Sequence, residues 1–209
     1  MDPPQLVIDN DVNFPHVDCS YFTDDQFNNA VKNTKMNSFS LLSFNIRSMR
    51  RNFTSFLSFL SGLMINLSII VLVETWLDGN IDHAYSIDGY NELSLHRNRN
   101  GGGIKIYIDD KFQSRVLDNL TFVNDIIEVL TICVFCSRFK FYICSIYKPP
   151  SSSIVSFIEI LQNNLLSEFP VGSKVILCGD LNINLYNPMD LTSTKNFMSE
   201  MFSFDFFQS

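Results

Sequence analysis

Regular patterning of apolar positions begins at Phe39. Residues 39–45, Phe-Ser-Leu-Leu-Ser-Phe-Asn, make a short apolar run suited to a buried strand that ends at Asn45. Phe53, Phe56, Leu57, Leu60, Leu63 and Met64 then recur at helical spacing, which predicts a helix with one face on a sheet. The β-branched run 69–73 predicts a second strand, closed by the carboxylate of Glu74. After a loop rich in Asp, Asn and Gly, the glycines 101–103 open an alternating strand over 104–108. Strands about 126–136 and 139–147 flank a turn at Ser137 and Arg138. Pro149, Pro150 and three serines stop the second of these, 154–169 reads as a helix, 174–180 as a strand ending at Asp180, and 191–202 as a last helix.

Strands alternating with helices and hairpins predict an α/β layered domain over residues 38–209. Residues 1–37 read instead as an acidic N-terminal arm with one short helix near Asp24–Val31. No internal repeat is present. A chain of 209 residues that is 46% hydrophobic can bury about two-thirds of the surface its unfolded form exposes, so a true core is expected.

Charge narrows the possible chemistry. The chain carries a formal −7, which excludes nucleic-acid binding by bulk positive charge. Residues 38–115, with eight basic and seven acidic side chains, are the only part that is not acidic. Phosphate chemistry here would need local basic residues or a metal. The five cysteines, an odd number set mostly among Val, Ile, Leu and Phe, read as reduced buried thiols of an intracellular protein. Cys133 and Cys136 lie three apart in a predicted strand, which points them to opposite faces and favours core packing over zinc or redox chemistry. Residues 1–15 are polar and acidic, unlike a signal peptide. Residues 52–73 are 22 uncharged positions, long enough to span a bilayer, but scattered Asn, Ser and Thr and a change of period favour a helix, turn and strand; no membrane association is expected.

The polar residues at strand ends carry the candidate chemistry. Asn45, Glu74, Tyr147, Asp180 and Asn182 each sit at or just beyond the C-terminal end of an apolar strand, where open sheets build sites. Any one of them alone is explained by turn and cap chemistry. Together they are hard oxygen donors without a cysteine or histidine partner, a set that suits Mg²⁺ with one or two carboxylates and a substrate phosphate.

Five strings in order, SFNIRSM (43–49), VETWL (73–77), GYNELSLHRNRNGGGIKIYI (89–108), IYKPPSSS (146–153) and LCGDLNINL (177–185), resemble the signature motifs of the endonuclease/exonuclease/phosphatase superfamily. The likeness is greatest to the apurinic-type endonuclease domain of non-LTR retrotransposon reverse transcriptases. It implies a deoxyribonuclease I-like, four-layer αββα sandwich and phosphodiester hydrolysis of DNA with Mg²⁺, or Mn²⁺. It further implies DNA as partner, action in the nucleus, and a reverse transcriptase domain downstream in the parent polyprotein. Residue by residue, Glu74 matches the principal metal carboxylate, and Asn45 the residue that holds the metal and phosphate region. Tyr147 matches the hydroxyl that supports the scissile phosphate, Asp180 the group that orients or deprotonates the attacking water, and Asn182 its phosphate-holding partner. Arg99 resembles a basic position near the DNA backbone, and Lys148 stands where the family has Arg after its tyrosine, keeping the charge but losing the planar fork. Arg47 and Arg99 belong to a basic strip with Arg50, Arg51, Arg97 and Lys105 that could attract DNA despite the net charge, and Arg99, Arg47 and Lys148 are the DNA-binding candidates.

The likeness departs at the C-terminal side. The superfamily's Ser-Asp-His segment has no counterpart here, since His16, His83 and His96 all precede the GDLN string. The expectation is therefore a domain lacking its last strands, with impaired activity and an exposed sheet edge. Two alternatives stay open: a phosphatase or other phosphodiesterase of the same fold, and a non-catalytic retrotransposon remnant.

Overall fold

The computed structural model describes residues 22–32, 39–97, 101–136, 139–184 and 192–204. The first element, α1 (Asp24–Val31), coincides with the helix expected in the arm and starts with a reciprocal capping box between Thr23 and Gln26. Its Asn28 side chain donates to Gly62 O at 2.9 Å and accepts from Met64 N at 2.9 Å, which ties the arm helix to the end of the next one.

Two parallel strand–helix–strand units set the plan. β1 (Leu41–Asn45) leads through α2 (Met49–Gly62) to β2 (Ile69–Val73), and the strands lie parallel with Leu41 opposite Ile69 and Asn45 opposite Val73. β3 (Tyr90–Leu95) and β4 (Ile104–Asp109) extend this sheet antiparallel, in the order β1-β2-β4-β3. The second sheet holds β5 (Gln113–Val116), β6 (Phe122–Val123), β7 (Glu128–Cys136), β8 (Phe139–Tyr147) and β9 (Val175–Asp180). Its order is β5-β7-β8-β9, with β6 also on β7, and β8 and β9 run parallel across α3 (Ile154–Ile160). α4 (Thr192–Ser203) closes the described chain.

Three apolar layers separate four layers of structure. Ile69, Val71 and Val73 of β2 meet Leu130, Ile132, Val134 and Ile143 between the sheets. Ile70 and Leu72, on the opposite face of β2, pack on Met49 and Phe56 of α2. Val129, Cys144 and Ile146 pack on Phe157, Leu161, Phe197 and Met201 beneath α3 and α4. Every residue of β2 is thus covered on both sides, which is why its sequence is a continuous apolar run and not an alternation. At about 1.5–3 kcal/mol for each fully buried aliphatic side chain, this strand alone outweighs any surface ion pair in the molecule. The expected αββα sandwich is the observed architecture.

Several sequence expectations are sharpened. The segment 154–169 is helical but changes pitch, with a π-turn at Leu161–Leu165 and a 3-10 turn at Leu166–Glu168 after α3. The wide turn lets Leu161, Leu165 and Leu166 all reach the core. β3, β5 and β6 lie in stretches that carry no apolar run. β3 is an edge strand whose outward Glu92 and Ser94 face Lys105, so its pattern reads as loop. The uncharged stretch 52–73 divides into α2, a connection and β2, and no helix among the described residues is long and apolar enough to cross a membrane. Cys133 is buried and Cys136 half-buried, and the four described cysteines are free thiols. The turn expected at Ser137 and Arg138, and most of the arm, lie outside the described residues.

Candidate active site

Because β1 and β2 are parallel, and β8 and β9 likewise, four strand C-termini finish at one edge of the sandwich. Asn45 is the hub where they meet. Its amide nitrogen donates to Glu74 Oε1 at 2.9 Å and to Asp180 Oδ2 at 2.7 Å, one N–H for each carboxylate. Its oxygen accepts from the Arg47 backbone N–H at 3.0 Å, which fixes the amide's orientation. Asn45 and Glu74 come from the first sheet and Asp180 from the second, so one side chain joins the two sheets where the polar groups collect. Asp180 Oδ1 accepts from the Asn182 N–H at 3.0 Å, and Asn182 Nδ2 donates to Lys148 O at 2.8 Å.

Tyr147 stands between these groups in the sheet, in register with Glu128 on one side and Asp180 on the other. Burial pushes its hydroxyl up to about 12, with the charge of Glu74, its hydrogen bond to that carboxylate, and the charges of Glu128 and Asp180 adding to the shift. The phenol is therefore a protonated donor throughout the neutral range.

The backbone of this edge is strained and tightly laced. Arg47 (φ 46°), Ser48 (95°), Glu74 (55°), Trp76 (54°) and Asn182 (48°) are the non-glycine residues with left-handed backbone among those described, and all five flank the strand ends of the site. Such conformations cost about 1–3 kcal/mol each and persist only where the surroundings over-determine them. Here Ser48 N bonds Glu74 O (2.8 Å), Met49 N bonds Thr75 O (2.9 Å), Thr75 N bonds Gly103 O (3.2 Å) and Trp76 N bonds Gly102 O (2.9 Å). Gly103 N continues to Glu128 Oε2 at 2.6 Å in the second sheet. A β-carbon on Gly102 would lie 2.1 Å from Glu128 Oε1, so that glycine is required by close approach.

Glu128 is the residue that sequence reasoning missed. It is fully buried, and Arg97 Nη1 donates to its Oε1 at 2.8 Å. Burial raises its carboxyl above the usual range against the pull of the Gly103 N–H and Arg97, and nearby Glu74 adds to the rise. The available signal was a carboxylate at the head of an otherwise apolar strand.

The site residues expected from sequence divide as follows. Asn45, Glu74, Tyr147, Asp180 and Asn182 come together. Arg47 is exposed beside Asn45. Lys148 adjoins the hub, its backbone N–H donating to Asp180 O at 2.9 Å, but its ammonium is buried and donates to Pro149 O at 3.2 Å; burial lowers its pKa, against the opposing effect of Asp180. Arg99 lies outside the described residues. Lys105 does not join the exposed basic strip: it is fully buried, with its ammonium bonded to Glu92 and, at 2.9 Å, to Asp82. His96 Nε2 lies 3.8 Å from Asp82 and His83 is exposed, so neither described histidine bonds the polar hub.

The donor set fits a hard divalent cation held by few protein ligands. Two carboxylates from different sheets converge on one amide, and no group of three or more His, Cys, Asp or Glu side chains gathers among the described residues. One or two carboxylates completed by water and phosphate is the ordinary protein share of a Mg²⁺ site.

No protein-family model and no curated protein matches the chain. Solved structures do. The endonuclease domain of TRAS1, a telomere-specific non-LTR retrotransposon, superposes with a TM-score of 0.57 at 14% identity, over 79% of this chain and 72% of that one. An AP endonuclease from Archaeoglobus fulgidus gives 0.58 at 14% identity, over 79% and 70%. A variant of the 3′ phosphatase NExo from Neisseria, bound to a product DNA hairpin, gives 0.56 at 14% identity, over 80% and 71%. With its two face-to-face sheets and outer helices, this chain has the deoxyribonuclease I-like fold of endonuclease/exonuclease/phosphatase proteins.

Proposed function

We propose that the chain is a divalent-cation-dependent phosphodiesterase that nicks DNA. The observation that carries this reading is the Asn45 amide holding Glu74 and Asp180 together across the two sheets, beside a protonated tyrosine. Glu74 would hold the cation, which when bound supplies neutralising charge to the phosphate oxygens. The protein's own groups supply the remainder. Asp180 is gripped on one oxygen by Asn45 and on the other by the Asn182 N–H, so its free lone pairs have a set direction in which to accept the proton of an attacking water. The Tyr147 hydroxyl, kept protonated by burial and by the carboxylates around it, serves as a donor to developing negative charge. The strained loops keep these groups in place before substrate arrives, so little reorganisation remains for the reaction itself.

The described hub holds carboxylates, amides and a phenol but no hydrogen-bonded imidazole. A positioned proton donor or acceptor is typically worth about 10²–10⁴-fold, so a low rate belongs to this proposal. A downstream reverse transcriptase and a nuclear location are further parts of it that rest on the five sequence strings alone.

Conversion of supercoiled plasmid to open circles decides the matter. Nicking is expected with Mg²⁺ or Mn²⁺ above an EDTA control, and Glu74→Ala or Asp180→Asn should lower it by at least about 10²-fold. Nicking that survived both substitutions, or that was absent with either metal, would overturn the proposal.

A further inference from the structure

Beside the hub lies a cleft of about 920 Å³ whose walls include Ser48, Arg50, Arg51, Trp76, His96 and Arg97. Its volume is that of a site for a nucleotide-sized ligand. Trp76 is the sole tryptophan of the chain and is 40% exposed, although its neighbours Thr75 and Leu77 are buried. Its N–H is pinned to Gly102 O at 2.9 Å and its backbone is left-handed. The loop is therefore held at its backbone while its indole stays partly open to solvent.

Three guanidiniums accompany that ring, against one lining carboxylate, Asp78. Arg51 has no carboxylate partner among the described residues. Arg50 meets Asp78 at 3.3 Å in a pair exposed at both ends, which competes weakly with another anion. Arg97, held by one nitrogen on buried Glu128, also lines the cleft. Arg50 and Arg51 also occupy the first turn of α2, which has no acidic residue, although the helix dipole disfavours cations there. Fold stability would have selected the opposite charge.

We propose that this cleft binds an unpaired stretch of nucleic acid, with a base stacked on Trp76 and the adjoining phosphates on Arg50, Arg51 and Arg97. An aromatic face and a basic groove together are the chemistry of single-strand binding, because stacking needs a base face that a duplex hides. The cleft and the hub are neighbours along the chain: Trp76 follows Glu74 by two residues, and Ser48 follows Asn45 by three. This inference rests on the proposed nuclease reading for the purpose of the bound strand, which is to keep nucleic acid near Glu74 and Asp180.

The lone tryptophan makes the test direct. In EDTA, so that nothing is cut, Trp76 emission is followed while a mixed-sequence single-stranded oligonucleotide is added, with its duplex and an all-abasic strand of equal length as comparisons. The single strand should quench the emission and bind roughly tenfold or more tightly than either comparison. Trp76→Ala should weaken single-strand binding, read by anisotropy of a labelled strand, by about 5- to 150-fold, and Trp76→Phe should recover most of it. Arg51→Ala should weaken all three ligands together and lower the salt dependence by about one phosphate contact. Equal affinity for the three ligands, or no quenching by the single strand, overturns the proposal even if a variant fails to fold. Quenching that persists in a protein unable to nick DNA would leave this site standing and remove the nuclease reading. Nicking without quenching would do the reverse.

Discussion

Asn45 and Glu128 organise the site edge from opposite ends, and they differ in how far they can be read from sequence. Asn45 ends an apolar run and is followed by a break in the pattern, so its position at a strand terminus is visible in the chain itself. Glu128 looks like any charged residue at the start of a strand, because its burial depends on Arg97 and Gly103, which the first sheet brings to it. Removing its partner should expose that dependence. Arg97→Ala leaves a carboxylate buried without its counter-charge, and a loss of about 3–5 kcal/mol at neutral pH is expected in chemical denaturation. The sign with pH follows from the raised pKa of Glu128. A carboxyl whose folded pKa lies above the unfolded value contributes its full stability below the unfolded value and loses it as pH rises through the folded one. The deficit of Arg97→Ala should therefore shrink as pH falls towards the ordinary carboxyl value of 4.5 and grow above it. A deficit independent of pH would mean that packing, and not charge, is what Arg97 supplies.

At the scale of elements, the strand most exacting about its neighbours is β9. Gly179 has φ 125°, and a β-carbon there would lie 1.9 Å from Ile146 O, so the strand can lie against β8 only with glycine at this position. Asp180 follows immediately and owes its place to that contact. Gly179→Ala combines left-handed strain with a backbone clash and should cost more than about 2 kcal/mol, measured by the urea midpoint. It should also displace Asp180 and suppress nicking. A fully stable variant would show that β9 can shift along β8 without loss. Most elements were legible where one face or both are apolar, as in α2, β2, β7 and β8. The edge strands β3 and β5 were not, since short polar edge strands take their stability from hydrogen bonds to the neighbouring strand and carry little pattern of their own.

For the whole molecule, the two sheets meet through an apolar layer, and at the site edge polar contacts join them: the Asn45 amide to Asp180, and Gly103 N and Arg97 to Glu128. Asn45→Ala would leave Glu74 and Asp180 facing one another without that donor. The variant should melt at a lower temperature than the parent in EDTA, by several degrees for each ~1 kcal/mol lost. Millimolar Mg²⁺ should restore part of the difference, because a cation that binds only the folded state stabilises it by mass action. A melting temperature indifferent to Mg²⁺ in both proteins would count against Glu74 as a cation ligand. Charge is also unevenly placed at this scale, since the cleft lining, with three arginines against Asp78, has a sign opposite to the −7 of the chain as a whole.

Sequence alone determined the layered α/β class, the order of the principal strands and helices, and five polar residues at strand ends, because hydrophobic periodicity and strand termini are local properties of the chain. Only the tertiary structure decided which of them act together. It buried Lys105 and the Lys148 ammonium, paired Glu128 with Arg97, and set Trp76 beside three arginines. Those outcomes depend on sheet register and on contacts between residues as far apart as Asn45 and Asp180, which no local pattern encodes.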